Sequence, residues 1–66
     1  MSRKDRVEEL IELVKMYNVD VDSPRFASLI YRYLKVKYGF TDQTIYDYIK
    51  TVRLKIKREM RAEAVL

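Results

Sequence analysis

Polar and basic side chains recur every three or four residues between residues 43 and 57, the spacing that places them on one face of an α-helix. An amide, a phenol and several cations are the groups that hydrogen-bond base edges and neutralise phosphates. The chemistry indicated is non-covalent binding of a polyanion, and such a helix suits the major groove of duplex DNA. The members of this outward ridge are Gln43, Tyr46, Asp47, Lys50, Arg53 or Leu54, and Lys57.

The net charge of +4 is unevenly distributed along the 66 residues. Residues 1–24 hold four basic and six acidic side chains, a net of −2, whereas residues 25–66 hold ten basic and four acidic ones, a net of +6. This asymmetry favours a polyanionic partner on the C-terminal side. A solvated helix face, with cations attracted to the negative end of the helix dipole, is the alternative explanation. The cations concentrated there are Lys50, Arg53, Lys55, Lys57, Arg58 and Arg61.

Three apolar stripes at helical spacing must position this ridge, and they predict an all-α fold, a compact three-helix bundle forming one domain. Of the tyrosines, Tyr17 and Tyr33 are expected to be buried, and Tyr48 is expected inside rather than Tyr46, because residues two apart face different sides of a helix. The predicted helices cover about residues 3–17, 24–38 and 42–61, with residues 62–66 frayed. The predicted stripes are Val7, Leu10, Ile11, Val14 and Tyr17; Phe26, Ala27, Leu29, Ile30, Tyr33, Leu34 and Lys37 or Tyr38; and Ile45, Tyr48 or Ile49, Val52 and Ile56.

The helix boundaries have local signals. Ser2, Ser23 and Thr41 each stand where a side-chain oxygen can cap a helix start, and Pro24 follows Ser23 at the position where a missing N–H costs nothing. Gly39 is the expected left-handed residue that ends the second helix. Because the turn between the second and third helices is so short, these two helices are expected to cross sharply.

The connector at residues 18–22 alternates valine with aspartate after Asn18. This alternation is typical of a strand, but a single strand would have no partner. We therefore expect an extended loop with one valine turned inward.

Cysteine and histidine are both absent, and no Ser-His, Cys-His or Gly-rich phosphate-binding pattern occurs, so an enzyme is not expected. The aspartates lack the spacing of a calcium loop, so no metal or other cofactor is expected. No apolar run approaches the roughly 18 residues of a membrane span, and no signal-peptide core follows the N-terminus. We expect a cytoplasmic protein, associated with the nucleoid if it binds DNA. The composition also hints at a thermophilic source.

Residues 23–58 resemble helix-turn-helix modules of the homeodomain-like type. In those modules a helix ends near a glycine, Ser or Thr caps the next helix, and a Thr-(Ile/Val)-x-x-(Tyr/His)-(Ile/Leu) core follows; here the core is Thr44-Ile45-Tyr46-Asp47-Tyr48-Ile49. The stretch is similar, more weakly, to the helical DNA-clamping domain of tyrosine recombinases. The resemblance implies that a set of residues near the start of the third helix faces DNA: Thr41, Gln43, Thr44, Tyr46, Asp47, Lys50 and Arg53.

The leading expectation is a small DNA-binding protein or module, a regulator or accessory factor of a plasmid, virus or mobile element, with its third helix in the major groove of duplex DNA. Asp42 and Asp47 oppose this expectation, because each would lie near phosphates. The expected DNA contacts are Thr41, Gln43, Thr44, Tyr46, Lys50, Arg53, Lys57 and Arg58. The expected additional phosphate contacts are Arg25, Arg32, Lys35 and Lys37.

Several alternatives stay open. Thr44 either completes a helix cap or touches phosphate, and Tyr31 either packs in the bundle or stacks on bases. The chain as a whole could instead be a helical interaction module that binds no nucleic acid, with a homodimer formed through the C-terminal helix. A basic helix lying on a membrane surface is a weaker alternative, because tryptophan is absent. The apolar residues suited to a C-terminal interface are Leu54, Met60, Val65 and Leu66.

Overall fold

The computed structural model describes residues 2–64, with side chains for residues 2–60, and contains three helices and no strand in that range. The helices are α1 (Arg3–Tyr17), α2 (Pro24–Tyr38) and α3 (Asp42–Ala64). The predicted all-α three-helix bundle is therefore confirmed. α3 continues three residues beyond its expected end, because Ala62, Glu63 and Ala64 are strong helix formers; residues 65–66 of the expected frayed segment lie outside the described residues.

The starts of α1 and α2 are capped as their sequences predict. The Ser2 hydroxyl accepts a hydrogen bond from the Asp5 amide at 3.2 Å, while the Asp5 carboxylate accepts from the Ser2 amide at 3.3 Å, which is a complete capping box. The Ser23 hydroxyl accepts from the Arg25 amide at 3.2 Å, with Pro24 at the first helical position. These contacts satisfy amides that have no partner within the helix.

Left-handed residues end both of the first two helices. Asn18 has φ 52° and Gly39 has φ 68°. The Gly39 amide donates to the carbonyls of Leu34 and Lys35, each at 3.1 Å. With only residues 39–41 between α2 and α3, this turn sets the direction in which α3 leaves α2.

The core is apolar throughout the described residues, and α3 contributes more of it than either other helix. Tyr48 is 2% exposed and Tyr46 is 60% exposed, as predicted. The expectation for Tyr17 was wrong, because this side chain is 59% exposed. Tyr17 is the last residue of α1, and the connector's Val21 is buried instead, which also confirms the inward valine. The buried residues of α3 are Ile45, Tyr48, Ile49, Val52 and Ile56.

Replacement of Gly39 by alanine is expected to lower the free energy of unfolding by about 1 kcal/mol, because an L-residue is strained in the left-handed region. A Cβ atom at Gly39 would meet nothing within 4 Å, so no steric clash adds to this strain. Gly39→Asn should cost less, since asparagine tolerates this conformation and already occupies it at position 18. Urea denaturation measures the free energy of unfolding of each variant, and the m-value should be the same as that of the wild type. Equal stability of the alanine and wild-type proteins would contradict the prediction.

Candidate nucleic-acid interface

The outer face of α3 is exposed from Gln43 to Arg58, because the buried stripe lies on the opposite side of the helix. Gln43, Tyr46 and Lys50 lie on this outer face in successive turns, as the sequence pattern predicts. Lys50 and Arg58 make no ion pair within the described residues. This part of α3 therefore presents hydrogen-bonding groups and uncompensated positive charge to solvent.

The N-terminus of α3 is capped by Thr41. Its hydroxyl oxygen accepts from the Thr44 amide at 3.4 Å, and its hydroxyl donates to the Thr44 hydroxyl oxygen at 3.1 Å. Thr44 is half-buried. Thr44 was expected either to complete the helix cap or to contact a phosphate. Its contacts with Thr41 support the first of these two roles.

The charge of Asp42 is compensated within the protein. Tyr31 donates its hydroxyl proton to the Asp42 carboxylate at 2.6 Å, and the Lys35 ammonium lies 3.2 Å from the same oxygen. The hydrogen bond from Tyr31, followed by that from Lys35, lowers the pKa of Asp42 below its ordinary value. These contacts fasten the start of α3 to α2, and they weaken the objection that Asp42 would repel a phosphate.

A groove of about 510 Å³ runs between α2 and α3. The rings of Tyr31 and Tyr46 lie on it with centroids 6.1 Å apart and planes inclined by 32°. Arg32 and Lys35, two of the expected phosphate contacts, line the same groove. Aromatic and cationic groups are thus brought together beside the outer face of α3.

Arg53 has an internal role that the sequence did not indicate. Its Nε donates to the carbonyl of Val21 at 3.2 Å, and its guanidinium carbon lies 5.3 Å from the centroid of the Phe26 ring. The side chain is half-buried. Arg53 therefore fastens the connector between α1 and α2 to α3, so its Nε is occupied within the fold.

The remaining expected cations do not all converge on one face. Three lysines reach back to carboxylates of α1 or of the connector, whereas Arg25 and Arg32 are exposed and make no ion pair within the described residues. The three pairs are Lys37–Glu9 at 2.8 Å, Lys55–Glu8 at 2.7 Å and Lys57–Asp22 at 3.0 Å. The side chains of these pairs are partly exposed to solvent, so water screens the attraction between them. A phosphate can therefore compete with the carboxylate for the lysine.

Lys37 is the most firmly held of these cations. Its ammonium donates to the Glu9 carboxylate at 2.8 Å and to the Tyr33 hydroxyl oxygen at 2.9 Å, while Tyr38 donates its hydroxyl proton to the other Glu9 oxygen at 2.8 Å. The Lys37 hydrogen bond is the main reason why the pKa of Glu9 is lowered, and Glu9 in turn raises the pKa of Lys37. Lys37 thus faces α1 rather than the α2–α3 groove.

An aromatic stack closes the end of the bundle near Gly39. The Phe40 ring stacks on Tyr38 at 5.1 Å and on Tyr48 at 5.8 Å between centroids. Arg6 donates from Nε to the Tyr48 hydroxyl at 2.8 Å. Sequence reasoning missed this cluster, although the aromatic residues on both sides of Gly39 were a visible signal. Tyr38 is consequently engaged in the fold, through this stack and its hydrogen bond to Glu9.

Comparison with protein-family models, with curated proteins and with solved structures gave no match. Among the described helices, none combines the length and the apolar character needed to cross a membrane.

Arg53→Ala is expected to lower the free energy of unfolding by about 1–2 kcal/mol, because it leaves the Val21 carbonyl without its charged donor. Arg58→Ala is the matched control, since Arg58 is an exposed α3 arginine without an ion pair in the described part of the chain. That change should stay within about 0.5 kcal/mol of wild type. Urea denaturation measures both, and equal stabilities of the two variants would contradict the structural role of Arg53.

Glu9→Gln is expected to weaken the dependence of stability on acidic pH. The pKa of Glu9 in the folded protein lies below its ordinary 4.5, so its stabilisation is present above that value and is lost as pH falls through the folded pKa. Part of the dependence should remain, because the pKa values of Glu8 and Asp42 are also lowered. Unfolding free energies measured between about pH 6 and pH 3 provide the test.

Glu59→Gln is the control for this experiment, since it removes one exposed carboxylate of α3 that makes no ion pair within the described residues. It should retain the wild-type pH dependence. A Glu9→Gln protein whose stability follows pH as steeply as wild type would show that the Glu9 cluster contributes nothing.

Proposed function

We propose that this chain binds duplex DNA with the outer face of α3 in the major groove. The observation that supports this most is the exposed run of Gln43, Tyr46 and Lys50 on a helix whose opposite side is buried in the core. Lys50 and Arg58 add charge that no carboxylate within the described residues neutralises. Binding would use side chains that the fold itself does not need.

The dimensions of α3 suit this arrangement. Its 23 residues correspond to about 34 Å, against about 22 Å for each of the 15-residue helices α1 and α2. A helix of about 10–12 Å diameter fits a major groove about 12 Å wide. The amide of Gln43 matches the hydrogen-bonding edge of adenine, and Lys50 matches either the guanine edge or a phosphate.

Phosphates would be bound by cations on either side of this ridge. Lys35 comes from α2, and Lys57 and Arg58 come from the C-terminal half of α3. Lys35 and Lys57 are each about half-exposed in their ion pairs, so exchanging a carboxylate for a phosphate costs little. Lys37, held by Glu9 and Tyr33, is the least suited of the expected phosphate contacts.

Asp47 is the one acidic residue on the outer ridge that has no ion pair within the described residues. A carboxylate there either accepts a hydrogen bond from a cytosine amino group or repels the nearby backbone phosphates. The two roles differ in their consequences, because removing a base contact changes sequence preference whereas removing repulsion strengthens binding to every duplex.

Lys50→Ala is expected to weaken binding to a random-sequence duplex and to reduce the slope of log K against log salt concentration by about one, because one phosphate contact is lost. Fluorescence anisotropy at several salt concentrations measures both quantities. Lys15→Ala is the matched control, since it removes the same charge from an exposed position on α1.

Asp47→Asn, measured in the same way, should strengthen binding to every duplex if the Asp47 carboxylate only repels phosphates.

Absence of binding at low salt would overturn the proposal. Equal effects of Lys50→Ala and Lys15→Ala would also overturn it, because attraction by net charge alone would then account for the binding.

A further inference from the structure

An exposed apolar surface lies on the side of the bundle formed by α1 and α2. Val36 is 82% exposed and Met16 is 76% exposed, the two highest values among the large apolar side chains of the described residues. Val36 lines a groove together with Tyr17 and several half-buried apolar side chains, and Met16 follows Leu13 of that groove by one turn of α1. We call this surface the α1–α2 face; it consists of Leu13, Met16, Tyr17, Leu29, Tyr33 and Val36.

Two grooves make this face concave. One, of about 390 Å³, is lined by Leu13, Tyr33, Val36 and Lys37, whose ammonium is paired with Glu9. The other, of about 320 Å³, lies towards the connector and includes Arg25. Both grooves include Tyr17, Leu29 and Arg32, so they form a continuous surface. Neither groove is lined by a residue of α3 among the described residues.

The charges at the two edges of the face are opposite. The α2 edge carries Arg25 and Arg32, which make no ion pair within the described residues. The α1 edge carries Glu12, one helical turn before Met16, and this carboxylate is exposed and has no ion pair in the described part of the chain. A twofold rotation about an axis that lies in the interface plane and runs parallel to α1 and α2 would bring the basic edge of one copy onto the acidic edge of another.

We infer that the α1–α2 face binds the same face of a second copy of this chain, forming a symmetric dimer. The apolar residues form the centre of the interface, and Glu12 of each copy lies near Arg32 of the other. A surface with both signs of charge at opposite edges is complementary to itself, whereas a purely acidic or purely basic partner would leave one edge opposed by like charge.

The small size of the chain supports a second copy as the partner of the α1–α2 face. A bundle of 66 residues has a marginal core, and association with a second copy adds buried apolar area. A standard interface covers about 800 Å² of each partner. That is about a sixth of the 4997 Å² surface of this protein, an area compatible with one face of two adjacent helices.

The C-terminal helix is a less suitable dimer surface in the part that the structure describes. Leu54 and Met60 are 49% and 58% exposed, but six residues separate them, which places them about 120° apart around α3. They therefore do not form one stripe. Val65 and Leu66, the other apolar residues expected there, lie outside the described residues.

The dimer does not depend on the proposed DNA binding, because the outer ridge of α3 takes no part in it. Arg32 and Val36 are shared, since they line both the α1–α2 face and the α2–α3 groove. The two properties can accordingly fail separately: a monomer could still bind DNA, and a dimer need not.

Sedimentation equilibrium at protein concentrations up to about 1 mM tests the inference. The wild type should form a dimer, and Val36→Glu should raise its dissociation constant at least about tenfold by placing an unpaired charge in the interface. Because Val36 is so exposed, the variant should retain its fold, which circular dichroism and urea denaturation verify. Leu54→Glu is the matched control on α3 and should leave the dimer unchanged.

A charge exchange makes the test specific. Glu12→Arg and Arg32→Glu should each weaken the dimer, whereas the double variant should recover most of the lost affinity, because opposite charges then face each other again. Lys50→Glu, an equal charge reversal on α3, should have no effect on dimerisation.

Three results would overturn the inference: a wild type that stays monomeric up to about 1 mM, a Val36→Glu protein that dimerises as strongly as wild type, or a double charge variant no better than the single ones. Loss of the dimer in Leu54→Glu alone would assign the interface to α3 instead.

Discussion

The rotation of α3 about its own axis is the constraint on which the other surfaces depend. Five of its side chains are buried between α1 and α2. They run from Ile45, near the start of α3, to Ile56, about three helical turns later. Rotating α3 by even one residue position, about 100°, would expose part of this stripe and bury charged groups. The outward position of Gln43, Tyr46 and Lys50 is therefore a consequence of core packing, and it holds whatever these residues bind.

Charged and polar contacts then decide which of the surface groups remain available. The contacts of Asp42 with Tyr31 and Lys35 fasten the start of α3 to α2, and the contact of Arg53 with Val21 fastens its middle to the connector. A positive residue in such a contact has less freedom to move to a phosphate than one that extends into solvent. The abundance of cations in the C-terminal half of the chain therefore overstates the charge available for a partner.

The fold could be predicted from the sequence because its signals are local. Capping by Ser2 and Ser23, the left-handed Gly39 and the three apolar stripes each depend on residues within one or two helical turns. The contact between Arg53 and Val21 joins residues 32 positions apart, and that between Arg6 and Tyr48 spans 42 positions. No spacing rule connects such pairs. The burial of Tyr17 was mispredicted for a different reason: helical spacing does not show that α1 ends at this residue or that the connector's Val21 is the buried side chain.

The outer ridge of α3 and the α1–α2 face differ in how favourable their exposure to water is. The ridge of α3 is polar, so water solvates it well and its exposure requires no explanation beyond the packing of the opposite side. The α1–α2 face is apolar around Val36 and Met16, and its exposure leaves favourable burial unrealised. In a chain with so small a core, an unburied apolar face is a larger fraction of the available stabilisation than it would be in a bigger domain. This difference makes the α1–α2 face the surface that gains most from association, and it leaves the polar ridge of α3 free to act as a separate binding surface.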